Sequence, residues 1–270
     1  MSIPKKQTVL GIGISTTSYD EVTAVCRDWI ERRRSARGET RGRYICVTSV
    51  HGIMTAVFDP SFRRELNSAD MATPDGMPVV WALRSFGCRG QRRVYGPDLM
   101  LALCHQAAEL GHRIFLYGSR PQTLEHLERR LLRRFPKLVI GGSYSPPFRA
   151  LTCAEDREIT TRIIAADADL IFIGLSTPRQ ERWMAAHRAR IPGVMVGVGA
   201  AFDFHAGQLK QAPPWMQQHG LEWLFRLLME PRRLWKRYLL ITPLFLPMWS
   251  LQKLRILRYE AARQFDAESA

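Results

Sequence analysis

Residues 170–183 read LIFIGLSTPRQERW. The run 170–175 is apolar, rich in isoleucine and too short for a globular helix, which suits a strand buried on both faces. A loop of Ser, Thr and Pro follows, and then a helix is predicted over 180–189. Strand, small-residue loop and helix form the repeating unit of an α/β sheet, and the loop lies at the strand's carboxyl end, where such sheets hold ligands. The same alternation extends in both directions. Strands are predicted over 9–14, 44–50 (YICVTSV), 113–117 (RIFLY), 138–141 and 194–198. Helices are predicted over 19–34, 54–67, 79–86, 97–110, 121–135 and 155–166. This spacing implies βαβ units: a Rossmann-like, mostly parallel sheet covered by helices. Residues 1–207 are expected to form this α/β domain, and residues 208–270 a basic, aromatic, helical appendage that associates with membranes.

Composition narrows the class. Hydrophobic residues make up 46% of the 270, enough for a core and too many for global disorder. Lys and Arg number 39 against 25 Asp and Glu, so an anionic partner is expected: nucleic acid, an anionic membrane surface or a phosphorylated substrate. No nucleic-acid-binding motif is present and much of the basic charge clusters with tail aromatics, which argues against nucleic acid. The five cysteines are scattered without a CxxC pair, so neither a zinc site nor a disulfide framework is suggested. The histidines have no ligand-like spacing, and no metal or other cofactor is expected. The N-terminus lacks a signal-peptide pattern. The longest apolar tract, 239–251, is broken by Pro243 and Pro247 and is too short to span a bilayer, so a soluble or peripheral protein is expected.

Several candidate groups sit at strand ends or in turns. In TPDGMPVVW (73–81), Asp75 is either a turn or N-cap residue or a general base that deprotonates a hydroxyl. In RVYGPDL (93–99), Arg93 is either a phosphate ligand or a surface arginine. Gly96 lets the backbone approach a ligand, and Asp98 counts with the substrate-binding candidates. Thr48, Ser49 and Gly118 close predicted strands. Gln180 and Glu181 open the helix after LIFIG, where they either bind substrate or merely decorate the helix start. GVGAAFDFHAG (197–207) is not a dinucleotide fingerprint. Its Asp203 either bonds a base or ribose or caps a turn. The DAD at 167–169 resembles a metal-binding motif but precedes its strand, at the end opposite the loops, and reads as a polar loop.

In the tail, Arg226, Arg233 and Arg237 are spaced so that a continuous helix would bring them within roughly 20° of one direction. That alignment requires the halves on either side of Pro231 to stay coaxial. Trp223, Phe225, Trp235, Leu239 and Leu240 supply apolar surface beside these cations, the composition of an interfacial segment on anionic lipid. The alternative is a core-packed helix with arginines facing water.

LNSADMATPDGMPVVW (66–81), RRVYGPDLM (92–100), IFLYGS (114–119), GLSTPRQERW (174–183), GVGAAFDFHAG (197–207) and APPWMQQHGLEWLFRLLMEPRRLWKRY (212–238) together resemble the WecG/TagA/CpsF family of glycosyltransferases. The resemblance implies a metal-independent, inverting transfer of a hexose-type sugar from a UDP-sugar to an undecaprenyl-diphosphate-linked glycan. It places the protein as a peripheral one on the cytoplasmic face of the inner membrane. By that resemblance Asp75 is the base, Arg93 lies near a phosphate, and Gln180 and Asp203 line a nucleotide pocket. Arg226 and Arg233, with Lys236 or Arg237, neutralise the leaving diphosphate. Ser49 stands where many members have asparagine, and Arg179 where members often have lysine. The rival readings are a nucleotide-sugar-binding protein without transfer activity and, further off, a nucleic-acid-binding protein. Self-association is left open.

Overall fold

Apolar runs closed by glycine or threonine give the strands, and amphipathic runs the helices. A computed structural model describes residues 2–35 and 41–259. Residues 36–40 of the Gly- and Arg-rich stretch 35–43, and 260–270 of the expected appendage, lie outside the described residues. In chain order the elements are β1 (Lys6–Val9), β2 (Ile12–Ser15), α1 (Tyr19–Ser35), β3 (Arg43–Thr48), α2 (Val50–Phe58), α3 (Pro60–Asn67), β4 (Met71–Pro74) and α4 (Met77–Ser85). Then come α5 (Gly96–Leu110), β5 (Arg113–Gly118), α6 (Pro121–Arg134), β6 (Val139–Tyr144), α7 (Cys153–Ala165), β7 (Leu170–Gly174), α8 (Arg179–His187), β8 (Val194–Gly197) and α9 (Ala201–Ala206). The tail holds α10 (Pro214–Gln218), α11 (Glu222–Met229), α12 (Pro231–Trp235), a π-helical turn (Lys236–Ile241), a 3-10 turn (Thr242–Leu244) and α13 (Phe245–Lys253).

The sheet has six strands in the order β4-β3-β8-β7-β5-β6. The pairs β3–β8, β8–β7, β7–β5 and β5–β6 are all parallel, so the mostly parallel α/β fold is the observed one. The chain divides into two compact units: residues 1–3, 19–46 and 96–210 in the first, and residues 4–18, 47–95 and 211–270 in the second. This partition differs from a boundary at 207/208, because the tail groups with two earlier segments.

In the first unit, β5 and β7 are buried along nearly their whole length, as strands covered on both faces require. Helix α6 buries Leu124, Leu127 and Leu131, spaced along one face, and leaves its arginines outside. At the amino end of β7, Asp169 is fully buried. It accepts from Arg33 Nη2 and Arg34 Nη2, each at 2.6 Å, and from the Arg113 backbone N–H at 2.8 Å. The DAD segment is a loop before β7 in which Asp169 ties α1 to the start of β5, while Asp167 stays exposed.

In the second unit, the strand expected over 9–14 is a hairpin. Leu10 (φ 49°) and Gly11 (φ 82°) form a two-residue turn, and Val9 pairs with Ile12. The helix expected over 54–67 is two helices, since Pro60 forces Asp59 into an extended conformation (φ −125°, ψ 98°). Asp59 then caps α3 by accepting from the Phe62 N–H at 3.0 Å. β4 was not anticipated; its four residues, MATP, are all buried. Gln252, after the tail's turns, accepts from Leu10 N at 2.8 Å and donates to Thr8 O at 3.1 Å, which clasps the hairpin. Among the described residues no helix is long and apolar enough to cross a membrane.

Candidate functional site

β4 ends at Pro74, and its neighbour Asp75 donates its backbone N–H to Thr48 O at 2.9 Å, at the end of β3. The N-cap of α4 is Gly76, with φ 89°, and no side chain caps that helix. Asp75 is therefore not an N-cap: its carboxylate Oδ1 accepts from Arg93 Nε at 3.1 Å and forms an ion pair with Nη2 at 3.1 Å. Arg93 Nη2 also donates to Glu222 Oε2 at 2.5 Å, and Nη1 to Gln217 Oε1 at 3.3 Å. Its guanidinium lies 3.8 Å from the Tyr95 ring centroid, and the Tyr95 hydroxyl donates to Glu222 Oε1 at 3.4 Å. Burial opposes the Arg93 charge, but Asp75 and Glu222 more than offset it and raise its pKa. Burial, Glu222 and Asp75 push the Tyr95 phenol up, so it stays protonated. All three edges of Arg93 are occupied by protein groups, an arrangement that orients Asp75.

Asp75, Arg93, Gln217 and Glu222 line a cavity of about 120 Å³ in the second unit, with Ser49, His51, Arg226, Arg237 and Tyr238 among its other walls. Ser49 holds the N-cap position of α2, yet its hydroxyl caps nothing; it accepts from Arg237 Nη2 at the long distance of 3.5 Å. Thr48, beside it, is buried. Arg226 and Arg237 thus line the same cavity as Asp75 and Glu222. At Arg226 burial acts against the charge, but Tyr238 and Glu222 raise its pKa. At Arg237 burial and the repulsion of Arg226 lower the pKa despite Tyr238. A cavity with this surplus of positive charge suits a phosphate-bearing ligand.

The tail arginines do not share one helical direction. Glu230, in a non-helical conformation, interrupts the tail before Pro231, and the π-helical turn resets the phase. Arg226 and Arg237 reach the cavity. Arg233 is exposed and pairs with Glu230, and Lys236 lies over the Trp235 ring at the surface.

In the first unit, the loops after β5, β7 and β8 adjoin one another. Gln180 Oε1 accepts from Gly199 N at 3.1 Å, and Gln180 Nε2 donates to Glu181 Oε1 at 3.1 Å. Thr177 Oγ1 also donates to Glu181 Oε1, at 2.8 Å, and both Gln180 and Glu181 are buried. They hold the β7 and β8 loops together rather than decorating a helix start. Asp203, in the first turn of α9, accepts from Ser119 Oγ at 3.3 Å. Gly118 (φ 128°) lies so close to Gly174 that a Cβ would sit 2.6 Å from its backbone. Gly96 is the buried first residue of α5, whereas Asp98, two residues on in the same turn, is exposed and accepts from the Tyr19 hydroxyl at 3.5 Å. Among the described residues no three His, Cys, Asp or Glu side chains converge as metal ligands.

Sequence reasoning missed Glu222, Gln217, Tyr95, His51 and Tyr238. One signal was present for Glu222: it is the sole acid in LEWLFR and lies one helical turn before Arg226.

An α/β sheet with ligand-type loops, and a cavity joining a carboxylate to half-buried arginines, fit a transferase of phosphorylated substrates, and comparison with known proteins makes the class definite: a glycosyltransferase. Residues 7–259 match the family described as glycosyl transferase WecG/TagA/CpsF, and the chain belongs to that family. It is 33% identical over 204 residues, 75% of this chain and 77% of the relative, to the N-acetylglucosaminyldiphosphoundecaprenol N-acetyl-beta-D-mannosaminyltransferase of Bacillus spizizenii (strain ATCC 23059 / NRRL B-14472 / W23). To the protein of the same name from Bacillus subtilis (strain 168) it is 33% identical over 202 residues, 74% of this chain and 76% of that one.

Proposed function

We propose that the protein transfers a hexose-type sugar, with inversion and without a metal, from a UDP-sugar to an undecaprenyl-diphosphate-linked acceptor during cell-surface polysaccharide synthesis. The names of the two relatives suggest an N-acetylmannosaminyl donor and an N-acetylglucosaminyl-diphosphoundecaprenol acceptor. The observation that carries this reading is Asp75, held by Arg93 in the wall of a cavity that also contains Arg226 and Arg237.

In this reading the acceptor hydroxyl attacks the anomeric carbon as Asp75 takes its proton. The bond from that carbon to the diphosphate breaks with both electrons leaving on UDP. Arg226 and Arg237 stabilise the developing negative charge as fixed, desolvated cations. Arg93 acts on the base by orienting it, and Tyr95 and Glu222 hold Arg93. In the first unit Gln180, with Glu181, Gly118 and Asp203, shapes the loops after the strands, Gln180 fixing the Gly199 turn. Arg233 and Lys236, which are exposed, serve membrane contact. Leu228 (71% exposed), Met229, Leu239, Leu240 and Leu246 support that contact, since they leave a large apolar surface beside Arg232, Arg233 and Lys236. We place the protein peripherally on the cytoplasmic leaflet, where a nucleotide sugar and a polyprenyl-diphosphate acceptor meet.

Asp75→Asn tests the assignment. UDP release from a panel of UDP-sugars, in the presence of a lipid-linked acceptor, should fall about 10²- to 10⁴-fold. The fold should persist, because Glu222 still neutralises Arg93. Release by the variant equal to that of the wild type would exclude Asp75 as the base.

A further inference from the structure

His51 lies in the first turn of α2 and lines the cavity. Its Nδ1 is buried and has no hydrogen-bond partner among the described residues. Across the same cavity, Nε of Arg237 is also buried without a partner among the described residues. Native structures leave few buried polar atoms unsatisfied, and each one costs about 1–3 kcal/mol. Two in the wall of one cavity mark a place where stability is given up for something that binds. The ring is also neutral: burial, with Arg237 and then Arg226 nearby, brings the His51 pKa down to about 3. It therefore neither adds to the positive charge nor serves as a proton donor of imidazolium type near neutral pH.

A neutral imidazole and an N–H of guanidinium call for a ligand group that accepts from one and exchanges a hydrogen bond with the other. A sugar hydroxyl does both at once. A phosphate oxygen accepts only, and the Nη edge of Arg237, with its long 3.5 Å bond to Ser49, already provides for it. We propose that His51 and Arg237 form a subsite for a ring hydroxyl of the acceptor's sugar, with His51 as a substrate-binding residue that selects a glycosylated diphosphate over a bare one. This rests on the acceptor reading of the proposed function, in which the acceptor's sugar hydroxyl reaches Asp75 in this cavity. It also gives Arg237 two tasks: its Nη edge toward Ser49 and phosphate, its Nε toward sugar.

The test compares two probes, N-acetylglucosaminyl diphosphate on a short prenyl chain and the same prenyl diphosphate without sugar. Binding to the full chain and to His51→Phe and His51→Gln is measured by calorimetry. His51→Phe should weaken the sugar-bearing probe about 10-fold, or 1.4 kcal/mol, and leave the bare diphosphate unchanged. His51→Gln, which keeps a hydrogen-bonding group, should retain most of the sugar preference. His51→Phe should also melt no lower than wild type, because an orphaned polar atom has been removed; a histidine serving the fold would lose stability instead. Equal weakening of both probes would assign His51 to phosphate and overturn the proposal, as would no weakening of either. Wild type binding neither probe would instead sink the acceptor reading itself, and the subsite with it.

Discussion

Arg93→Ala is the most informative single change, because it strands two carboxylates at once. The side chains of Arg93, Asp75 and Glu222 are 14%, 20% and 16% exposed, so the cluster is mostly dry without being sealed. Removing one partner of a buried ion pair costs about 3–5 kcal/mol, and partial water access favours the lower end. An expected loss of about 3 kcal/mol corresponds to a melting temperature roughly 6–10 °C lower for a chain of this size. Loss of the cation–π contact with Tyr95 is included in that figure. Glu222→Gln leaves Arg93 paired with Asp75 and should cost about 1 kcal/mol on its own. The double variant should then be more stable than the two costs predict, by about 1–2 kcal/mol, since only one carboxylate remains stranded. Denaturant melts of the four proteins close the cycle. Transfer by Arg93→Ala should fall about 10²-fold as Asp75 loses its orientation. Additive costs across the cycle, or an Arg93→Ala variant that melts within 2 °C of wild type, would refute the clamp.

Other outcomes follow from features elsewhere in the chain. Gly118→Ala combines a φ of 128° with a contact of 2.6 Å to the Gly174 backbone, so it should cost about 3 kcal/mol, read as a lower urea midpoint. Asp169 has its pKa lowered: burial would raise it, but Arg34, the Arg113 N–H and Arg33 outweigh that. Its stabilisation is complete above about pH 4, the unfolded value, and is lost as pH falls through the lower folded one. Asp169→Asn should therefore destabilise at pH 7 and flatten the acid decline, and an unaltered decline would count against the assignment. Leu239→Glu with Leu240→Glu, both 56% exposed, should reduce co-flotation with anionic vesicles at least 10-fold without lowering the melting temperature.

How far the sequence could be read depended on whether the deciding interaction was local. RIFLY and LIFIG announce strands because burial on both faces makes every residue apolar, and the helices of the first unit keep their 3.6-residue stripes. The hairpin was hidden because Leu10, an apolar residue in a left-handed conformation, is not a turn residue by composition; Gln252 supports it from 242 positions away. The break at Asp59–Pro60 was legible in principle and was passed over for a continuous apolar period. At the site, the TPDG segment points to Asp75, but Glu222 meets Arg93 from 129 positions away, beyond any local pattern. Arg233 was grouped with Arg226 on a coaxial assumption, which the break at Glu230–Pro231 and the π-helical turn remove. Nothing in the spacing of the histidines pointed to His51, whose interest comes only from the cations and the cavity around it.

The clasp of Gln252 on the first hairpin also sets an order of events during synthesis. Residues 4–18 leave the ribosome early, yet the amide that holds their turn is among the last of the described residues to be made. Contacts this distant close slowly, and domains tend to form in the order in which they are translated. The first unit has its whole sequence by residue 210, whereas Arg93 gains Glu222, and Leu10 gains Gln252, only afterwards. A nascent chain stopped short of the tail therefore has the whole sequence of the first unit while Arg93 still lacks Glu222 and Leu10 still lacks Gln252.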